Sequence, residues 1–204
     1  MCIRDSIYGC YECCYLQVVW NAGTPQTPLW QWGGGAPGNA NVGHGARACL
    51  GDLDADGDPD FVGTNFSGVI WGAMNNGTPQ APYWDSAASV PGIGTGDSSG
   101  KLALADLDGD GDLDIVGATS FGRLKCWENL GTPQTWSFAE SPGMLTGITQ
   151  PTNGIHGIAL PDVDCDGDAD LLVAGWSSLE YLYLNERITP VRPCTWGTIK
   201  AIYR

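Results

Sequence analysis

Fifteen of the 23 acidic residues are aspartates gathered into three nine-residue windows of one pattern, Asp-x-Asp-x-Asp-Gly-Asp-x-Asp. Carboxylates at alternate positions offer oxygen ligands only. That donor set suits a hard cation taking about six to eight oxygens, and the glycine permits the sharp turn that wraps the chain around it. The expected cation is Ca2+, one per window. In the first window Asp52, Asp54 and Asp56 are expected to supply side-chain oxygens, Asp58 its backbone carbonyl, and Asp60 one or two further oxygens. The same roles pass to Asp106, Asp108, Asp110, Asp112 and Asp114, and to Asp162, Asp164, Asp166, Asp168 and Asp170. Five neighbouring carboxylates repel one another unless a cation neutralises them, so three such loops in register read as sites rather than as solvated turns. An EF-hand loop begins in the same way but needs a glutamate at its twelfth position and helices on either side. Position twelve here is Gly63, Gly117 and Val173, which excludes it.

The elements that must carry these loops repeat with them. The first aspartates, Asp52, Asp106 and Asp162, lie 54 and 56 residues apart. A second marker, Gly-Thr-Pro-Gln, begins at Gly23, Gly77 and Gly131, again at a spacing of 54. Two markers at one period establish a repeat. Each window follows a short segment in which Leu50, Leu104 and Leu160 neighbour the smaller Cys49, Ala103 and Ala159, which predicts a strand with one bulky and one tightly packed face. After each window comes an apolar run at Phe61, Ile115 or Leu171, then a turn, then another strand near 69–74, 123–128 or 179–184. Projected backwards, the frame places Gly9 on Gly63 and residues 15–20 on the strand at 69–74. The chain is therefore expected to begin partway through a repeat. Helical spacing is absent. Trp30, Trp84 and Phe138, each seven residues past the marker glycine, are expected to wedge between neighbouring units.

With these loops and the segment Gly117-Ala118-Thr119-Ser120-Phe121-Gly122, residues 15–187 resemble the FG-GAP or VCBS repeat family, whose calcium-loop blades also occur in integrin α-subunit propellers. The resemblance implies an all-β fold of β-propeller blades, about three to four of the six to eight that close a propeller. It also implies an extracellular or cell-surface location.

Composition excludes several classes. The formal charge is −14 and only nine Lys and Arg residues are scattered along the chain, so no basic stripe is available for nucleic acid. No apolar run approaches the ~20 residues that cross a bilayer, so membrane insertion is not expected. The first twenty residues carry no signal-peptide pattern. Residues 1–6 are similar to a translated sequencing adapter and are expected to carry no structural information. The frame ends near residue 187, and 188–204 reads as a linker followed by a strand-like tail. Eight cysteines show no paired spacing, although disulfides among Cys10, Cys13 and Cys14 are open. His44 and His156, the two histidines, are expected in glycine-rich loops and read as exposed or backbone-bonded. No nucleophile elbow is evident, and the expectation is a non-enzymatic calcium-binding scaffold whose long loops meet an extracellular protein or glycan. The alternative is part of a secreted polysaccharide-degrading enzyme, such as a propeller lyase.

Overall fold

The computed structural model describes residues 5–9, 16–24, 26–35, 45–78, 83–86, 88–93, 101–119, 122–132, 135–148, 154–175 and 180–185. His44, most of the 188–204 tail's approach and the tail itself lie outside them, as do Ser120 and Phe121 of the glycine-rich segment.

Fourteen strands among the described residues form four antiparallel sheets in which spatial order follows chain order. The first sheet joins β1 (Asp5–Gly9), β2 (Leu16–Asn21) and β3 (Trp30–Gly35). The second joins β4 (Arg47–Gly51), β5 (Asp60–Thr64), β6 (Ile70–Ala73) and β7 (Ala88–Ser89). The third joins β8 (Lys101–Ala105), β9 (Asp114–Ala118), β10 (Leu124–Asn129) and β11 (Phe138–Glu140). The fourth joins β12 (Ile155–Ala159), β13 (Leu171–Gly175) and β14 (Glu180–Tyr183). One short 3-10 turn, Pro142–Leu145, is the single helical element among the described residues. β1 and β2 occupy the frame positions of β5 and β6, and β1 starts at Asp5 and Ser6, inside the segment set apart by sequence.

Each sheet is a meander because its turns are short and its strands need only their chain neighbours as partners. The sheets stack through their faces. β4 approaches β8, and β8 approaches β12, so the first strands of successive units run beside one another, as propeller blades do. No comparable approach joins β12 to β1, and the row stays open among the described residues.

Strand alternation fixes the packing. In β5, Phe61 packs with Ala46 and Ala73, while Val62 turns to the opposite face, toward the third sheet, with Ile70 and Leu53. In β9, Ile115 meets Val62, whereas Val116 faces the fourth sheet and meets Leu171 and Val173. Every residue of β5 and β9 is buried, because a middle strand of a middle sheet is covered on both faces. Covering Phe61 or Ile115 contributes about 1.5–3 kcal/mol each. Phe138 is the expected wedge, 3% exposed between the second and third sheets. Trp84 packs beside Phe61. Trp30, its counterpart in the first sheet, is 51% exposed, since no described sheet lies on that face. His156 departs from the expected loop: Ile155 and its neighbours pair with β13, so the histidine stands exposed on a strand.

Candidate metal centres

Each acidic window links the first strand of a sheet to the second, and each is folded by its own carboxylates. In the first loop, Asp52 Oδ2 accepts from the Gly57 amide at 3.0 Å, Asp54 Oδ1 from Asp56 at 3.2 Å, and Asp56 Oδ1 from Asp58 at 2.8 Å. The second loop repeats these bonds. Asp106 Oδ2 accepts from Gly111 at 3.0 Å, Asp108 from Asp110 at 3.2 Å and Asp110 from Asp112 at 2.9 Å. In the third, Asp164 accepts from Asp166 at 3.3 Å and Asp166 from Asp168 at 3.1 Å. The motif glycines Gly57, Gly111 and Gly167 adopt φ of 97°, 98° and 102°, a left-handed conformation that a side chain would strain.

The result is a convergence of three carboxylates per loop. Ligand oxygens of Asp52, Asp54 and Asp60 lie within 4.8 Å of one another, as do those of Asp106, Asp108 and Asp114, and of Asp162, Asp164 and Asp170. In the pairs Asp56 and Asp58, Asp110 and Asp112, and Asp166 and Asp168, the first members, expected as side-chain ligands, stand outside these carboxylate triplets, and the second are expected through backbone carbonyls, which the triplets do not include. The first of each of those pairs turns an oxygen to the loop backbone instead.

The ninth position has a second task that the sequence reading missed. Asp60 is fully buried and accepts two backbone amides at 2.8 Å, Leu53 inside its own loop through Oδ2 and Asn75, two residues past β6, through Oδ1. Asp114 holds Leu107 and Asn129 at 2.9 Å each, and Asp170 holds Val163 at 2.7 Å and Asn185 at 2.9 Å. One carboxylate thereby fastens the loop to the third strand of its sheet. The asparagines carry the chain onward. Asn75 Oδ1 accepts from Gly77 and Tyr83, Asn129 Oδ1 from Gly131, and Asn21 Oδ1 from Gly23 and Leu29. An asparagine two residues before every marker glycine was a readable signal for this brace.

Burial sets the electrostatics. It pushes the Asp60 carboxyl up from 3.8 to about 6, further raised by the charges of Asp54 and Asp56 and opposed by the two amides it accepts. Asp114 is raised to about 6 for the same reasons, with Asp108 and Asp110 as the neighbouring charges. Asp54, Asp108 and Asp164 are also raised, by desolvation first and by adjacent aspartates after it.

Two observations test whether a cation fits. Asp52 Oδ1 is buried with no hydrogen-bond partner, an arrangement that is costly for a carboxylate oxygen unless something positive faces it. The triplets also contain oxygen donors alone, the set that calcium and magnesium prefer over softer metals. The residues therefore fit the group.

The model for the FG-GAP-like repeat matches residues 52–117 and again 106–173, each match opening on an acidic loop and reaching the second strand of the next sheet. The chain belongs to the FG-GAP-like repeat family. No curated protein matches it. The overlapping FG-GAP-like matches run from the first acidic loop through β13, and the antiparallel sheets fit propeller blades. The chain is a repeat scaffold, and its acidic groups are placed where they could hold a metal. No helix among the described residues is long and apolar enough to cross a membrane.

With the clusters free of cation, the acid carboxyls give a signed pH dependence. The folded-state values of Asp60 and Asp114 exceed the unfolded value, so the stability they permit is fully present below pH ~4 and lost as pH rises through ~6. Chelator-treated protein should therefore melt higher at pH 4.5 than at pH 7 over this ~4–6 window. A melting temperature that climbs across that interval would refute the assignment.

Proposed function

We propose that the chain is a calcium-dependent extracellular scaffold in which each FG-GAP-like unit binds one Ca2+, and whose long loops contact a protein or glycan ligand. The observation that carries this reading is the repeated triplet of converging carboxylates, built three times by the same residues at the same positions. Asp52, Asp106 and Asp162 with Asp54, Asp108 and Asp164 supply one face of each site, and Asp60, Asp114 and Asp170 connect it to the sheet. The ion would neutralise carboxylates that otherwise repel at the surface of the fold, so its role is structural and the chain is not an enzyme. Extracellular calcium modules bind in the ~10⁻⁴–10⁻³ M range, a concentration present outside cells and absent from cytosol. Cys165 is disulfide-bonded, which favours the same oxidising surroundings.

Titration calorimetry on the full chain tests the reading. Wild type should take up calcium at several sites, and the combined variant Asp54→Ala, Asp108→Ala, Asp164→Ala should lose that heat while remaining folded. Uptake unchanged in the triple variant would remove these loops as the sites.

A further inference from the structure

Both faces of β5 and β9 are covered inside the row of sheets, and the two ends of the row are not. Val62 of β5 faces the third sheet, and Phe61 and Ala73 on the opposite face of the second sheet are buried as well. Ile115 and Val116 of β9 divide between the second and fourth sheets in the same way. The repeat spacing of 54 carries Val19 onto Ala73 and Trp30 onto Trp84, which packs in the Phe61 cluster. Asn21 pairs with Trp30 and Val19 with Trp32 across β2 and β3, so these side chains share one face. Ala73 is covered in the second sheet. Trp30 and Trp32 in the first are 51% and 60% exposed.

The far end of the row is open on its other side. Leu172 holds the frame position of Val62 and Val116, the residues that elsewhere face the following sheet. Leu171, Val173, Tyr181 and Tyr183 pack toward the third sheet, and alternation turns Leu172, Ala174 and Leu182 away from it. Leu172 pairs with Leu182, which is 48% exposed, and is itself only half-buried where Val62 and Val116 are fully buried. One end thus presents the face that takes a preceding sheet, and the other the face that takes a following sheet. Val19, Trp30 and Trp32 on one side and Leu172, Ala174 and Leu182 on the other carry no charge, so joining them desolvates no ion. We propose that the first sheet of one chain stacks on the fourth sheet of a second copy, continuing the contact that β4 makes with β8 and β8 with β12. With four sheets from each chain, two such head-to-tail contacts close a ring within the range of about four to eight blades that propellers use.

Sedimentation equilibrium on the full chain in millimolar calcium reads the association. Wild type should run at twice the 21.5 kDa of one chain. Trp32→Glu and Leu182→Glu alter side chains already exposed in the single chain, so each should keep the wild-type circular dichroism and run as a monomer. Mixed, the two variants retain one intact face of each kind and should pair again, more weakly than wild type because one contact of the two remains. Leu130→Glu, 59% exposed but beside β10 of the third sheet, should leave the dimer unchanged. A monomeric wild type would overturn the proposal, and is the outcome expected if the tail at 188–204 covers Leu182. A dimer that survives Leu182→Glu would overturn it too, by placing the contact between two first sheets, as would a mixture that sediments as monomers alone.

Discussion

Removal of calcium is expected to lower the melting temperature of the full chain by about 2–16 °C at neutral pH. At roughly 1 mM free ion, a site with a dissociation constant of ~10⁻⁴–10⁻³ M contributes about 0.4–1.4 kcal/mol by mass action. Three sites contribute about 1–4 kcal/mol, and for a chain of this size each kcal/mol moves the midpoint by about 2–4 °C. Repulsion adds to that loss. Once the ion leaves, the converging carboxylates of Asp106, Asp108 and Asp114 face one another within 4.8 Å, and the buried Asp114 has only backbone amides to offset its charge at pH 7. Melts in millimolar calcium and in excess chelator supply the comparison. Magnesium should restore less of the shift than calcium does, because it demands stricter octahedral geometry and gives up its waters reluctantly. Superimposable curves in calcium and chelator would show that these loops hold their shape without a cation.

Asp114→Ala should be the most damaging substitution in the second loop. It withdraws the acceptor from two backbone amides, at Leu107 and Asn129, and a buried donor without a partner costs about 1–3 kcal/mol. In millimolar calcium the loss should reach roughly 2–6 kcal/mol, before counting the ligand removed from the ion. Asp110→Ala is the comparison: Asp110 is exposed and outside the triplet, and losing its one hydrogen bond, from the Asp112 amide, should cost less, about 0.5–1.5 kcal/mol. The sign changes for a neutral isostere without calcium. Asp114→Asn in chelator at pH 7 should be no less stable than wild type, since it discards a buried charge held unfavourably and keeps one acceptor. Denaturant titrations of the three variants, with and without chelator, separate these effects. Equal tolerance of Asp114→Ala and Asp110→Ala would deny the buried carboxylate its bracing role.

Much of this arrangement was legible because the repeat states each feature more than once. The 54-residue spacing located the sheets, and the order of small and bulky residues in Cys49-Leu50 and Ala103-Leu104 foretold strands with unlike faces. Other features were hidden by chemistry that one residue type shares between two tasks. Aspartate at position nine reads as a ligand in any linear motif; only the folded chain shows that Asp60, Asp114 and Asp170 also accept amides from a strand 15 residues further on. Backbone conformation was partly concealed as well. Position four is left-handed in all three loops, at Ala55, Gly109 and Cys165, yet only the second copy displays the glycine that announces it. Burial of Trp30 failed for want of a neighbour, since the wedge that Phe138 makes needs a sheet on each side. His156 was assigned to a loop on its glycine neighbours, and pairing between β12 and β13 overrode that local preference.

The most direct test counts ions. Equilibrium dialysis of the full chain against millimolar calcium at pH 7, with magnesium in the background, should find about three calcium ions per molecule, one for each carboxylate triplet. The count should fall by one in Asp108→Ala. A chain that retains no calcium, or a count that stays the same when Asp108 is replaced, would contradict the account.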